Sequence, residues 1–391
     1  MTYPMTDWSI PQRVWTPGGL LVVALIVGVL LIYPALVLRR YIRIMINILD
    51  DCAPTPEAGG NDSQRWEGEE VSFRAIDGHR LEGIILSRRN ADDEPLGLVV
   101  FAHEFGSDRA SGLRYCGPLL DAGYDVFAFD FRGHGASAPE AGYHPRQWPS
   151  DRERADMLGA IAFISSYLEQ QGRPREIGVF GISRGGGAAI LASAAVDNVR
   201  AVVTDGAFSS DTTLEYLMRR FATIFARIRI VAENHPPMFW RFFRWLLFRE
   251  CARRFNCRFP SVRKALVRMG RKPILLIHGE KDSYIPIAQS QALYDLAAGP
   301  RSLWIVPGAK HNQSVMVAPE VYADRVLRFL DEHLAVERRA ARPTILRASP
   351  RQVLSPVGAS SSAAFEPALI PFPALGTDER SRPQVRSDVR L

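Results

Sequence analysis

Eight short apolar runs, each bounded by turn residues, constrain this chain most: VSFRAI, LEGIILS, LGLVVFA, YDVFAFD, EIGVFG, VRAVVTD, PILLIHG and SLWIV. Brief runs rich in Val, Ile, Leu and Phe read as strands. The first two are joined by DGHR, and the Asp-Gly pair signals a hairpin turn, so they pair antiparallel. The other six alternate with helical stretches, roughly residues 110–122, 151–171, 184–195, 286–298 and 319–336. Strands that are apolar along their whole length need cover on both faces, which a parallel sheet between two helical layers provides. The expected fold is α/β, with an eight-stranded, mostly parallel sheet and helices on both faces.

Ahead of this domain, residues 18–38 read GGLLVVALIVGVLLIYPALVL, 21 residues without a charge. At about 1.5 Å rise per residue the run reaches roughly 30 Å, the hydrocarbon thickness of a bilayer. A core helix of that length carries a polar face and this run has none, so a transmembrane helix is expected. Arg39, Arg40 and Arg43 follow it, whereas only Arg13 and the amino terminus precede it, opposed by Asp7. The positive-inside rule then puts residues 1–17 outside and the rest of the chain in the cytoplasm. The charged start and small-residue cleavage site of a signal peptide are missing, so the span reads as a permanent anchor.

Residues 50–65, DDCAPTPEAGGNDSQR, have linker composition, and residues 66–336 form the expected catalytic domain. From residue 337 to 391 the chain is rich in Arg, Pro, Ser and Ala without periodicity, which reads as disorder. Cys52, Cys116, Cys251 and Cys257 have no metal-site or disulfide spacing, so a reducing compartment is the simpler setting. A net charge of +6 with arginines concentrated in one insertion and the tail does not describe a nucleic-acid groove.

That insertion, residues 207–272, is far longer than an ordinary crossover. Its centre, MFWRFFRWLLF, places Phe239, Trp240, Phe242, Phe243, Leu246 and Leu247 on one helical face and Arg241, Arg244 and Arg249 on the other. Two readings stay open: a cap helix buried on the domain, or a helix lying in a membrane interface. In the first, Phe239, Trp240, Phe243 and Leu247 wall a substrate pocket.

The chemistry centres on FGISRGGG. Ser183 sits in G-x-S-x-G between a strand and a small-residue helix, the context of a nucleophile elbow. A serine hydroxyl needs a base to take its proton, and His311, just after the last strand, stands on the loop above the sheet edge. The imidazole needs a carboxylate to hold its tautomer. Asp282 in HGEKDSYIP is the expected acid, with Asp205 at the end of VRAVVTD as its rival. Nothing specifies a cofactor or a metal, and the glycines after Ser183 lack the lysine of a phosphate-binding loop.

Four motifs, in order and spacing, resemble the α/β-hydrolase superfamily over residues 71–336: GISRG, DFRGHGAS, HGEKDSYIP and GAKH. The resemblance is nearest to its serine aminopeptidase-like and esterase-like branch. It implies a Ser183, Asp282, His311 triad, with the backbone N–H groups of Phe105 and Arg184 as oxyanion donors. It also implies a helical cap and acyl-transfer chemistry. FAHEFGSDR departs from the usual His-Gly of the oxyanion loop, because Glu104 replaces the glycine; Arg109 and Arg184 are its candidate partners. His103 reads as a loop-orienting residue, and His134 has no assigned role. The expected activity is hydrolysis of small-molecule or lipid-like esters or thioesters with apolar acyl groups. The alternatives are a peptidase on the same scaffold and a catalytically silent membrane scaffold.

Overall fold

The computed structural model describes residues 16–51, 68–87, 94–225 and 237–335. Nearly all of the N-terminal segment 1–17, the linker 50–65 beyond Asp51 and the tail 337–391 lie outside these. The strands are β1 (Gly68–Arg74), β2 (Arg80–Leu86), β3 (Leu98–Ala102), β4 (Asp125–Phe129), β5 (Ile177–Ile182), β6 (Val199–Asp205), β7 (Ile274–Gly279) and β8 (Arg301–Val306). They form one eight-stranded sheet in the order β1-β2-β4-β3-β5-β6-β7-β8. β2 runs antiparallel to β1 and β4, and every other pairing is parallel.

Both faces are covered, as continuous apolar strands require. On one side lie α4 (Asp151–Gln170), α5 (Arg184–Ser193), α8 (Val262–Arg268) and α9 (Ile287–Leu296), burying Met157, Ile161, Ile190, Leu266 and Leu293 against Val100 and Val179. On the other lie α3 (Gly112–Asp121) and α11 (Pro319–His333), whose Tyr115, Leu119, Tyr322 and Phe329 meet Phe101, Phe180 and Ile277. Alternate residues of each central strand serve opposite cores, the period of two that the pleat imposes. Because β3, β5, β7 and β8 are parallel, the loops leaving their C-terminal ends gather at one sheet edge. A short helix, α10 (Ser314–Val317), follows the loop after β8.

The insertion divides into α6 (Ser210–Phe225), α7 (Pro237–Phe255) and α8. Its end is not cap: Val262, Ala265 and Leu266 of α8 are core residues under α5, the helix that a parallel β6–β7 crossover needs. The cap is therefore α6 and α7. On α7 the buried residues are Trp240, Phe243, Leu247, Cys251 and Phe255, spaced three or four apart. Phe239 and Leu246 are only partly buried against this cluster. Phe242, expected on the buried face, is 50% exposed. Arg244, expected on the outer face, is half-buried and pairs with Glu215 of α6 at 2.6 Å. Helical spacing explains both: Arg244 stands four residues after Trp240 and three before Leu247, within the buried stripe, whereas Phe242 stands on the opposite side.

The apolar N-terminal run is helical but interrupted. It comprises α1 (Pro17–Val27), a π-helical turn (Gly28–Ile32) and α2 (Tyr33–Asp51). Pro34 has no N–H to donate to the carbonyl four residues back, and the π turn lies at that break. Among the described residues, no helix is long and apolar enough to cross a membrane, so the transmembrane helix expected over residues 18–38 is not found there as one helix. The second half of α2 has another role. Its Ile42, Met45 and Ile46 are buried with Trp240, Phe243, Leu247, Leu214 and Met218, so α2 is part of the cap.

This packing sets an expectation for stability. Leu247 is fully buried, so Leu247→Ala should cost about 2–5 kcal/mol, whereas Phe242→Ala should change little, within about 0.5 kcal/mol. Urea unfolding of the two variants in detergent, followed by tryptophan fluorescence, measures both.

Candidate active site

The site grows from a strained turn. β5 ends at Ile182, and Ser183 has φ 50° and ψ −113°, outside the regions that side-chain-bearing residues favour. Two glycines permit it. A Cβ at Gly181 would lie 2.5 Å from the Gly185 carbonyl oxygen, and one at Gly185 would lie 2.2 Å from the Ala102 carbonyl oxygen. The elbow is thus wedged against the end of β3. Ser183 N–H donates to the Asp205 carbonyl at 2.7 Å, fastening the turn to β6 as well.

Above it the three expected residues meet. Ser183 Oγ lies 2.8 Å from His311 Nε2, and His311 Nδ1 lies 2.6 Å from Asp282 Oδ2. With Nδ1 protonated toward the carboxylate, Nε2 is left to accept from the serine hydroxyl. Asp282 is buried, and its other oxygen accepts the N–H groups of Tyr284 at 2.9 Å and Ile285 at 2.8 Å. The aspartate is therefore clamped by its own loop before it touches the histidine. The Tyr284 ring stands 5.9 Å from the His311 ring and is 66% exposed, so the entrance is open on that side.

His278, which sequence reasoning missed, supports the acid loop from below. Its Nε2–H donates to the Ile285 carbonyl at 2.8 Å, and its Nδ1 accepts from Ser290 Oγ at 2.7 Å. Burial pushes its pKa down, against the opposing pull of Asp282. The signal was the histidine in ILLIHG, the only polar side chain of an otherwise apolar strand.

Asp205, the rival acid, accepts hydrogen bonds from Ser314 Oγ at 3.1 Å and Tyr322 OH at 3.2 Å rather than from the imidazole. Burial pushes its carboxyl up to about 6, despite those two hydroxyls. Its side chain secures α10 and α11, while its carbonyl holds the elbow.

The oxyanion loop follows β3. His103 is buried, with Nδ1–H donating to the Glu104 carbonyl at 2.6 Å and Nε2 accepting from Phe131 N–H at 3.1 Å, the loop-orienting role expected of it. Glu104 pairs with neither candidate arginine. Ser111 Oγ contacts its carboxyl at 3.3 Å, and burial raises its pKa against the field of Arg114. Arg109 instead pairs with Glu70 at 2.9 Å and lies 3.8 Å from Asp130.

Arg184, directly after the nucleophile, is fully buried. Its guanidinium donates to the Arg146 carbonyl at 3.1 Å and lies 3.4 Å from Glu153 and 3.3 Å from His134 Nε2. It also lies 5.1 Å from the Phe105 ring centroid. The side chain thus tethers the residue that flanks the site on the other side, while the Arg184 N–H heads α5, where first-turn amides lack a helical acceptor. Burial and the Arg184 charge push His134 down to about 3. Glu153 is the capping-box glutamate of α4, accepting from Ser150 N–H at 2.9 Å and Tyr143 OH at 2.7 Å. Burial alone would raise its pKa, but Arg184 and these donors outweigh that and lower it.

DFRGHGAS proves to be scaffolding. Asp130 accepts from Arg109 N–H at 2.7 Å and Ala136 N–H at 2.9 Å, and buried Arg132 pairs with Asp156. The four residues expected to wall a pocket belong to the apolar cluster of the cap. Trp240, Phe243 and Leu247 pack against α2 and α6, with Phe239 at their edge. A small void of about 20 Å³, room for about one water, lies further along α7, lined by Phe248, Cys251 and Phe255 with Arg146, Trp148 and Leu214. Among the described residues, no cluster of His, Cys, Asp or Glu is arranged to hold a metal.

Sheet order, elbow and the placement of these loops define an α/β hydrolase. The family model for the alpha/beta hydrolase family matches residues 99–325, and the chain belongs to that family. Among curated proteins it is 24% identical over 269 residues to the uncharacterized protein YfhR of Escherichia coli (strain K12), covering 68% of this chain and 81% of that one. It is 30% identical over 189 residues to the lysophosphatidylserine lipase ABHD12 of Danio rerio, covering 47% of this chain and 42% of that one. Among solved structures, the Pyrococcus furiosus esterase Pf2001 aligns with a TM-score of 0.52 at 22% identity, covering 71% of this chain and 96% of that one.

The raised Asp205 carboxyl has a consequence for pH. Its folded pKa of about 6 exceeds the ordinary aspartate value of 3.8, so between about pH 4 and 6 the folded state holds more protons than the unfolded one. Its contribution to stability therefore falls as pH rises through that window, by about 3 kcal/mol in all. Urea unfolding from pH 4 to 7 should show Asp205→Asn gaining stability relative to the wild type as pH rises. A constant difference would mean that Asp205 does not titrate in that window.

Proposed function

We propose that this chain is a serine hydrolase that cleaves carboxylic esters or thioesters through a covalent acyl-enzyme. The observation that carries the reading is the unbroken hydrogen-bonded series Ser183–His311–Asp282, drawn from three loops at one sheet edge. Ser183 Oγ attacks the acyl carbonyl while His311 Nε2 takes its proton, and Asp282 stabilises the imidazolium that forms. The oxyanion is met by the N–H groups of Phe105 and Arg184. His311 then passes the proton to the leaving oxygen or sulfur, and water repeats the sequence to free Ser183.

The apolar residues of the cap favour apolar acyl groups, and the loop residue Arg146 beside them is bonded through its carbonyl to Arg184 of the elbow. The likeness to the zebrafish lysophosphatidylserine lipase favours lipid-like esters within that class. The reading includes a membrane anchor. Leu20, Leu21, Leu25, Ile32 and Leu36 are 48–63% exposed, and such a run is stable where lipid replaces water. The arginines after it favour a cytoplasmic catalytic domain.

Ser183→Ala or His311→Ala should lower ester turnover by about 10⁴- to 10⁶-fold with unfolding unchanged, and Asp282→Asn should be severe through the wrong tautomer. Fluorophosphonate labelling of the wild type and of Ser183→Ala tests the nucleophile, because labelling that survives the substitution would remove Ser183 from that role.

The packing of α2 refines where the anchor ends. A chain starting at residue 38 should leave the membrane fraction and remain active, since Ile42, Met45 and Ile46 stay on the cap. A chain starting at residue 51 should melt lower. Membrane fractionation, thermal melting and ester assays of both truncations check this, and protease added to intact cells checks the orientation.

A further inference from the structure

We propose that α7 lies in the headgroup region of an anionic lipid bilayer, with its outward face toward the lipid. The inference rests on the anchored reading and goes beyond it, since an anchor alone would leave the cap free in water.

Helix α7 is apolar on two opposite faces. One, from Trp240 to Phe255, is buried in the cap. Met238, Phe242 and Trp245 stand on the other, 69%, 50% and 55% exposed. Their spacing of four and three residues lines them along one stripe, and the Phe242 and Trp245 rings lie 5.9 Å apart, tilted by 31°. Among the described residues, no contact inside the cap accounts for this second stripe. Large aromatic side chains on a water-facing helix are costly, whereas Trp and Phe are favoured at the headgroup level.

The rim has the matching charge. Arg241, Arg249 and Arg253 are exposed on the same side of α7, and the Arg249 guanidinium lies 5.2 Å from the Trp245 ring centroid. The helix has one acid, Glu250, which lies 3.5 Å from Arg253. Arg39, Arg40 and Arg43 of α2 are exposed as well. Arginines beside exposed aromatics describe a surface for anionic headgroups.

Position supplies the third argument. The apolar run ends at Leu38, and Ile42 and Ile46 of the same helix pack on the cap cluster that holds α7. Four to eight helical residues rise about 6–12 Å, comparable to the depth of a headgroup layer. A bilayer that holds α1 and the start of α2 therefore has its surface at the level of α7.

The test uses the full chain reconstituted into vesicles of phosphatidylcholine and phosphatidylglycerol, with or without brominated acyl chains. The fluorescence difference between the wild type and Trp245→Phe isolates the signal of Trp245. That signal should fall about twofold or more in the brominated vesicles, and Phe242→Ala/Trp245→Ala should lose about tenfold activity on vesicle-borne ester but none on a soluble short-chain ester. If the wild type fails to float with vesicles, the anchor itself is wrong and this inference goes with it. If it floats but Trp245 is unquenched, the anchor stands and the inference fails. Shielding of Trp245 in detergent that grows with protein concentration would show a second copy on this face instead, which also overturns it.

Discussion

A serine held at positive φ is the constraint on which the rest of this molecule depends. The turn at Ser183 is possible because Gly181 and Gly185 allow backbone to touch backbone, and because the Asp205 carbonyl ties the serine N–H to β6. The sheet order places β3 on one side of β5 and β6 on the other. The strain is thus held by both neighbouring strands, and the serine oxygen is presented upward to a histidine from β8 and an aspartate from β7. A central parallel sheet supplies such support, whereas a lone loop would relax the turn.

Much of this was legible in the sequence because it is local. Strand and helix positions follow from apolar period and turn residues, and observed elements match the expected ones to within a few residues. Ser183, Asp282 and His311 stand in loops directly after strands, so finding the strands placed them. Where tertiary partners decide, the sequence was a poorer guide. Glu104 was expected beside an arginine but lies against Ser111, because the arginines found acids brought near by the fold, Glu70 and Glu153. His278 went unread because its partners, Ser290 and the Ile285 carbonyl, are set by the packing of α9 on β7. The apolar arc of α7 was visible, but which part of it would be buried depended on α2, distant in the chain.

That dependence changes the meaning of the N-terminal helices. The same chain segment that leaves the apolar run delivers three side chains to the cap, so α2 and the cap helices form one structural unit. The cap in turn touches the elbow through Arg146, whose guanidinium lies over Phe255 at 4.3 Å while its carbonyl receives Arg184. A physical path of packed and hydrogen-bonded groups therefore joins the surface of α7 to the residue after the nucleophile.

The ion pair at the end of that path is fully buried, with Arg184 and Glu153 both at 0% side-chain exposure. Mobile ions do not reach such a pair, so salt screens it weakly, whereas the exposed arginines of α2 and α7 sit in water and feel the full ionic atmosphere. Ionic strength consequently divides the molecule in two. It leaves the Arg184–Glu153 pair nearly untouched and acts on the exposed charges, those of the cationic outer face among them. A change of salt is in effect a way to address that face without loosening the buried pair beside the nucleophile.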